Sequence, residues 1–148
     1  MISEWLIIAA TLMAEAGGES LIGKQAVASV IHNRAALERS SGTYAEVCLA
    51  PKQFSCWNAG EEEMNKRIVK WMLEYDLNWR QCIDIAISMT KEYNGEDEFF
   101  EPTGKWTHYF NPKMVWPFWA KGVKEDDAIE DNEEGVTRIG NHLFMVIE

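Results

Sequence analysis

The first sixteen residues constrain this chain more than any other stretch. Trp5 to Ala14 is almost unbroken apolar sequence, and it runs straight into an acid, Glu15, and a glycine pair, Gly17-Gly18. The run is too short to span a bilayer. A secretory leader would carry Lys or Arg ahead of the apolar stretch; here Glu4 stands in that place, although Ala14-Glu15-Ala16 mimics a cleavage site. The run therefore reads as a buried helix, and no export signal is expected. Ser3 is expected to cap it through its side-chain oxygen. Trp5, Ile8, Ala9, Leu12 and Ala16 recur at helical spacing, and Gly17-Gly18 close the helix. Glu15 falls in the last turn, on the same stripe as Ile8 and Leu12. Burial strips hydration from a carboxylate, and the carbonyl end of a helix is partly negative, so both effects favour the protonated form. A carboxylic acid that keeps its proton near neutral pH is suited to protonating a leaving oxygen, as glycosidic cleavage requires. Gly17 and Gly18 have no side chains to block a polymer above it. The plain alternative is a helix-end glutamate held by Arg34.

The remaining pattern is mainly helical, then changes period. A second helix is expected from Ile22 to Leu37, with Ala26, Val27, Val30 and Ile31 on its core face and Gln25, Ser29 and Asn33 on the other. Thr43 and Glu46 form a capping-box pattern before a short helix that stops at Pro51. Lys52 to Trp57 reads as a loop. Glu61 to Tyr75 is weakly amphipathic, with Ile68, Trp71, Met72 and Tyr75 on one face. Asn78 is expected to cap a stronger helix, striped by Trp79, Cys82, Ile83, Ala86 and Ile87 and ended by Gly95. Beyond it, Trp106 to Phe110, Val136 to Ile139 and His142 to Ile147 read as strands, the last two joined at Gly140-Asn141. Trp116 to Trp119 is an aromatic loop and Lys124 to Gly135 an acidic connector. The expected fold class is α+β, mainly helical, as one domain over residues 1–148 with a small antiparallel sheet near the C-terminus.

Composition removes several functions. Lys plus Arg number 14 and Asp plus Glu 24, a net charge of −10, so nucleic acid and anionic membrane surfaces are unsuited as partners. Cys48, Cys56 and Cys82 make no CxxC pair and are expected to pack as small apolar groups in a reducing compartment. No GxSxG, phosphate-binding or dinucleotide-binding motif is present. A Cys56–His108 nucleophilic pair is not flagged by any motif. Glu15 with His108 and His142 is a conceivable zinc set, but HExxH is absent, and hydrogen-bonded histidines with no metal are the expectation. His32 is a weaker ligand candidate. The acidic stretch 125–134 lacks calcium-loop spacing and reads as a solvated loop, with loose cation binding as the other option. Glu19 is either a possible second carboxylate or a cap on the following helix. Trp57, Trp106, Trp116 and Trp119 either stack on sugars or fill the core.

Four collinear segments carry a resemblance. They are Ala14-Glu15-Ala16-Gly17-Gly18-Glu19-Ser20 with Gly23 and Gln25 to Arg34; Val47-Cys48 with Gln53-Phe54-Ser55; Pro102-Thr103-Gly104 with Thr107-His108-Tyr109 and Asn111; and Trp119-Ala120 with Thr137, Ile139-Gly140, His142 and Phe144. In this order they resemble the SleB-like cell-wall hydrolase family, whose pattern is E-A-x-G-E followed by G-x-x-A-V-A-x-V-x-x-N-R. The resemblance implies a lysozyme-like catalytic domain acting on peptidoglycan glycan strands, without a cofactor. It implies a lytic transglycosylase cutting between N-acetylmuramic acid and N-acetylglucosamine, with the catalytic glutamate on Glu15. It places Gln53, Phe54, Thr107, His108, Tyr109, Asn111 and His142 along or beneath the substrate groove. The chain departs from the pattern at Met13-Ala14, where the family has Gly or Tyr-Gly, and at Lys105-Trp106 within its G-G-A-T-H segment. The acidic connector and the Glu61 to Tyr75 helix look like insertions. The alternatives are a hydrolytic N-acetylmuramidase using Glu19 as well, a zinc-dependent amidase or peptidase, and a glycan-binding module that does not cut. The expected setting is a monomeric phage endolysin, cytoplasmic until it is released to the wall. Since bacterial walls are themselves anionic, divalent cations bridging the acidic loop to the wall are a further expectation.

Overall fold

The computed structural model describes residues 2–37, 42–50, 53–93, 100–120, 122–123 and 135–147. The order of elements is α1 (Glu4–Ala16), α2 (Leu21–Ala35), α3 (Tyr44–Leu49), α4 (Glu61–Glu74), α5 (Leu77–Tyr93), β1 (His108–Phe110), β2 (Thr137–Ile139) and β3 (His142–Met145). Short 3-10 turns occupy Ser55–Trp57 and Phe118–Ala120. The expected mainly helical α+β architecture with a late antiparallel sheet is what the chain adopts.

Helix α1 lies at the centre. Ile7 to Leu12 are all buried, so the helix is enclosed on every side rather than along one stripe. It packs on α5, α3 and α2. Ala9 and Ala10, fully buried, let the neighbouring helices approach closely. Thr11 is polar yet buried; its Oγ1 donates to the Ile7 carbonyl and accepts from Trp57 Nε1. Ser3 occupies the cap position without the expected side-chain bond; its backbone carbonyl takes the Leu6 and Ile7 amides instead.

Caps decide the other helix starts. Ser20 Oγ accepts from Gly23 N and starts α2 one residue earlier than the apolar pattern indicated. Thr43 Oγ1 accepts from Glu46 N and starts α3 as expected. For α5 the cap is Asp76, whose Oδ1 accepts from Trp79 N; Asn78 instead accepts from Lys24 Nζ at 2.9 Å. Lys24 is wholly buried, and its second bond goes to the Glu19 carbonyl. Helix α4 buries Met64 and Ile68 with Trp71 beside them, whereas Met72 and Tyr75 are exposed. The true stripe starts one turn before the expected one, at Met64. In α5, Ile85 and Met89 are buried and Ile87 is turned outward. The expected stops at Pro51 and Gly95, the start of the 52–57 loop and all of 124–134 lie outside the described residues.

The polar side of helix α2 faces the irregular segment 103–107. Ser29 Oγ accepts from Thr103 N at 2.8 Å. Asn33 Nδ2 donates to the carbonyls of Gly104 and Trp106 at 2.9 and 2.8 Å, and Arg34 Nε donates to that of Thr107 at 2.6 Å. Irregular backbone cannot pair with itself, so buried carbonyls need such partners. Gly104 is required by space: a Cβ there would sit 2.6 Å from the Trp106 ring.

This seam delivers the chain into β1. The sheet order is β1-β3-β2, all antiparallel, with Tyr109 opposite Phe144 and Ile139 opposite His142. The ladder is shorter than expected: β1 begins at His108 and β3 ends at Met145. Thr107 N still reaches the Met145 carbonyl. Since Asn33 satisfies two carbonyls at once, Asn33→Ala should lower unfolding free energy by about 1–3 kcal/mol in a denaturant titration. An unchanged midpoint would show that water replaces both bonds freely.

Candidate active site

A cleft of about 780 Å³ opens between the end of α1 and strand β1. Glu15 stands on its wall, half-buried, where the last turn of α1 meets the sheet. Gln53, His108, Tyr109, Asn111 and His142 line the same cleft. Glu15 is the sole carboxylate among the described lining residues.

Phe54 and Thr107 lie beneath the wall instead. Phe54 is 2% exposed and carries the Arg34 guanidinium 5.5 Å from its ring centroid. Thr107 is buried and holds its neighbours: its carbonyl takes Arg34 Nε, and its Oγ1 accepts from Ile147 N and bonds His108 Nδ1 at 2.9 Å. Both residues support the groove and offer no surface to a ligand.

Arg34 does not clamp Glu15. Its Nε is used by Thr107 and its Nη1 donates to Gln53 Oε1 at 2.9 Å. It acts on the acid through space, as does Arg67 on α4, whose guanidinium lies 5.1 Å from the Trp71 ring centroid. Tyr109 reaches the Glu15 carboxyl with its hydroxyl. These influences oppose each other. Burial pushes the Glu15 carboxyl above the usual range, and this is the largest effect; the Tyr109 hydroxyl and the two arginines pull it back. The Tyr109 hydroxyl is itself pushed well above its ordinary value, first by burial and then by Glu15, so it remains a donor.

The two histidines are uncharged at neutral pH. His108 is pushed down to about 4, mainly by burial and then by Arg34. Its ring lies 4.8 Å from that of Trp119. His142 is lowered by burial, which outweighs the pull of Glu19. Among the described residues, no three His, Cys, Asp or Glu side chains stand close enough to share a metal ion, so Glu15, His108 and His142 are not assembled as a ligand set. The thiols of Cys48, Cys56 and Cys82 are each pushed up to about 12 by burial, leaving no thiolate to pair with His108.

Glu19 is neither on the cleft wall nor a helix cap. Its Oε1 accepts from Asn141 N and its Oε2 from Asn141 Nδ2, each at 2.9 Å, tying it to the β2–β3 turn. The tryptophans divide. Trp106 is buried against Phe144, and Trp57 packs on α1, so both serve the core. Trp119 lines the cleft, and Trp116 braces Phe110 at 4.9 Å between ring centroids. Met114 and Phe118, 81% and 88% exposed, stand at the mouth. Phe118 belongs to the aromatic loop legible in the sequence, whereas Met114, a single exposed apolar residue, has no periodic signature. Arg67 escaped the sequence reading because its helix gave only a weak apolar pattern. Among the described residues, no helix is long and apolar enough to cross a membrane.

A family model described as cell wall hydrolase matches residues 18–145, starting just after Glu15. The catalytic domain of the germination-specific lytic transglycosylase SleB from Bacillus anthracis is similar in structure, with 25% identity and a TM-score of 0.59; the match covers 96% of this chain and 93% of that one. The catalytic domain of the Bacillus cereus SleB protein shares the fold at 24% identity and a TM-score of 0.57, over 96% of this chain and 88% of that one. No curated protein matches the chain in sequence. The family match spans the second helix, the buried seam and the whole sheet, and the chain belongs to the cell wall hydrolase family.

Proposed function

We propose that this enzyme is a lytic transglycosylase that cuts the β-1,4 bond between N-acetylmuramic acid and N-acetylglucosamine in peptidoglycan, with Glu15 as its acid and its base. The observation that carries this reading is the lone carboxylate. Among the described residues lining the cleft only Glu15 has one, while both oxygens of Glu19 are engaged by Asn141. A hydrolase of the two-carboxylate type needs a second acid about 5–9.5 Å away to activate water or capture the sugar. A transglycosylase needs none. The likeness to a solved lytic transglycosylase supports the same choice.

The steps follow from the opposed influences on Glu15. The protonated carboxyl, favoured by burial, gives its proton to the bridging oxygen as the bond from that oxygen to C1 breaks. The sugar ring gains positive charge, and the new carboxylate, favoured by Tyr109, Arg34 and Arg67, stabilises it. The muramic 6-hydroxyl then attacks C1 and passes its proton to Glu15, which regenerates the acid. The product ends in a 1,6-anhydro sugar. His108, Asn111, Gln53 and His142 present polar groups to the bound glycan, and Trp119 offers a ring face. The proposal extends to setting: a monomeric endolysin, held in the cytoplasm and then released to the wall, which fractionation of lysing infected cells would test.

Three outcomes are expected. Digested sacculi should yield muropeptides lighter by one water than hydrolytic products, and mass spectra showing only reducing ends would replace this reading with the muramidase. Glu15→Gln should lower kcat by about a hundredfold or more while still binding sacculi; retained lysis would remove Glu15 from the role.

The third concerns pH. A carboxyl with a raised folded pKa contributes stability that is present at low pH and lost as pH rises through that pKa. Glu15→Gln should therefore melt above wild type at pH 7, and the gap should close below the ordinary glutamate range. The rate should fall as pH rises through the same pKa. Tyr109→Phe removes a donor to the carboxylate, so it should move that alkaline limb to higher pH.

A further inference from the structure

We propose that Glu19 is a positioning residue: it ties down the β2–β3 turn and so sets the His142–Tyr109 wall against which Glu15 works. The inference rests on the reading of Glu15 as the reacting acid. It assigns a different task to the acid four residues further on.

The geometry forms a closed ring of contacts. The Glu19 backbone is fixed first, since its amide donates to the Ala16 carbonyl and its own carbonyl accepts from the buried Lys24 ammonium. Its carboxylate then grips Asn141 with both oxygens, one on the backbone amide and one on the side chain. The turn is shaped around this grip. Gly140 has φ +58°, and a Cβ there would fall 2.6 Å from Glu19 Oε1. His142, directly after Asn141, is buried, and its Nδ1 lies 3.4 Å from the same oxygen, with no hydrogen-bond partner among the described residues. The His142 ring meets Tyr109 edge-on, with centroids 5.1 Å apart. Tyr109 is backed by Phe144 at 5.5 Å, and its hydroxyl returns to Glu15. From Glu15 the chain leads through the last residue of α1 back to Glu19. A shift of the turn therefore reaches the Glu15 carboxyl through two rings, and misplacement of a reacting group by about 1 Å costs up to about a hundredfold in rate.

The competing assignment makes Glu19 a second reacting carboxylate. Charge separates the two. In Glu19→Gln the amide oxygen can still accept from Asn141 N, and the amide nitrogen can donate to Asn141 Oδ1 once that side chain turns over. Position is kept and charge is lost. In Glu19→Ala both are lost.

The experiment measures initial rates on purified sacculi over a range of concentrations, with thermal melts of each variant. Glu19→Ala should lower kcat about tenfold or more with little change in KM, and Glu19→Gln should stay within about threefold of wild type. If Gln is as impaired as Ala, the charge itself is needed and the proposal fails. If Ala is unimpaired, the turn needs no anchor and the proposal fails equally. Should Glu19→Ala not fold, Asn141→Ala keeps the carboxylate and removes one of the two bonds. A fall in kcat there supports positioning, and an unchanged kcat overturns it. The comparison is read as a ratio of rates whichever product forms, so hydrolytic products would sink the transglycosylase reading without touching this one.

Discussion

The seam between α2 and the 103–107 segment is the interaction on which the site depends. Ser29, Asn33 and Arg34 lie on one side of a helix whose other side is packed in the core, and they supply the partners that an irregular stretch of backbone lacks. That stretch leads directly into β1. The seam and the β1–β3 ladder together fix His108 and Tyr109 opposite the end of α1. Arg34 joins the two functions, since it bonds the Thr107 carbonyl while its charge acts on Glu15.

Glu15 itself is placed by contrast. The middle of the helix that carries it is buried on all sides, and its last turn emerges where the core opens into the cleft. Loss of hydration and nearby positive charge act on the carboxyl in opposite directions. A group held between such influences can give up a proton and regain it without a large cost either way. Tyr109 is central because it touches both the acid and the wall that positions it.

Much of this was legible in the sequence, and the limits have physical causes. The buried first helix, Glu15 at its end and the late sheet follow from apolar period, a glycine pair and β-forming runs. Most of the groove residues came through the ordered motif segments, because side chains from distant elements meet only after folding. The polar stripe of α2 shows in the sequence, but periodicity does not tell whether such a stripe meets water or a partner backbone. Asn78 and Asp76 offer the same kind of cap acceptor in sequence, and Asp76 holds the place. Glu19 was weighed as a cap or a second reacting acid, and its real partner is 122 residues away. No local pattern encodes a contact of that range.

The three cysteines carry one more consequence. Their thiols are held in the neutral form by their apolar surroundings, with values pushed up to about 12. Oxidants and disulfides react with the thiolate, so these three cysteines are poor targets for either. Thiols held this way stay out of disulfide exchange, and the fold draws nothing from a covalent cross-link among them.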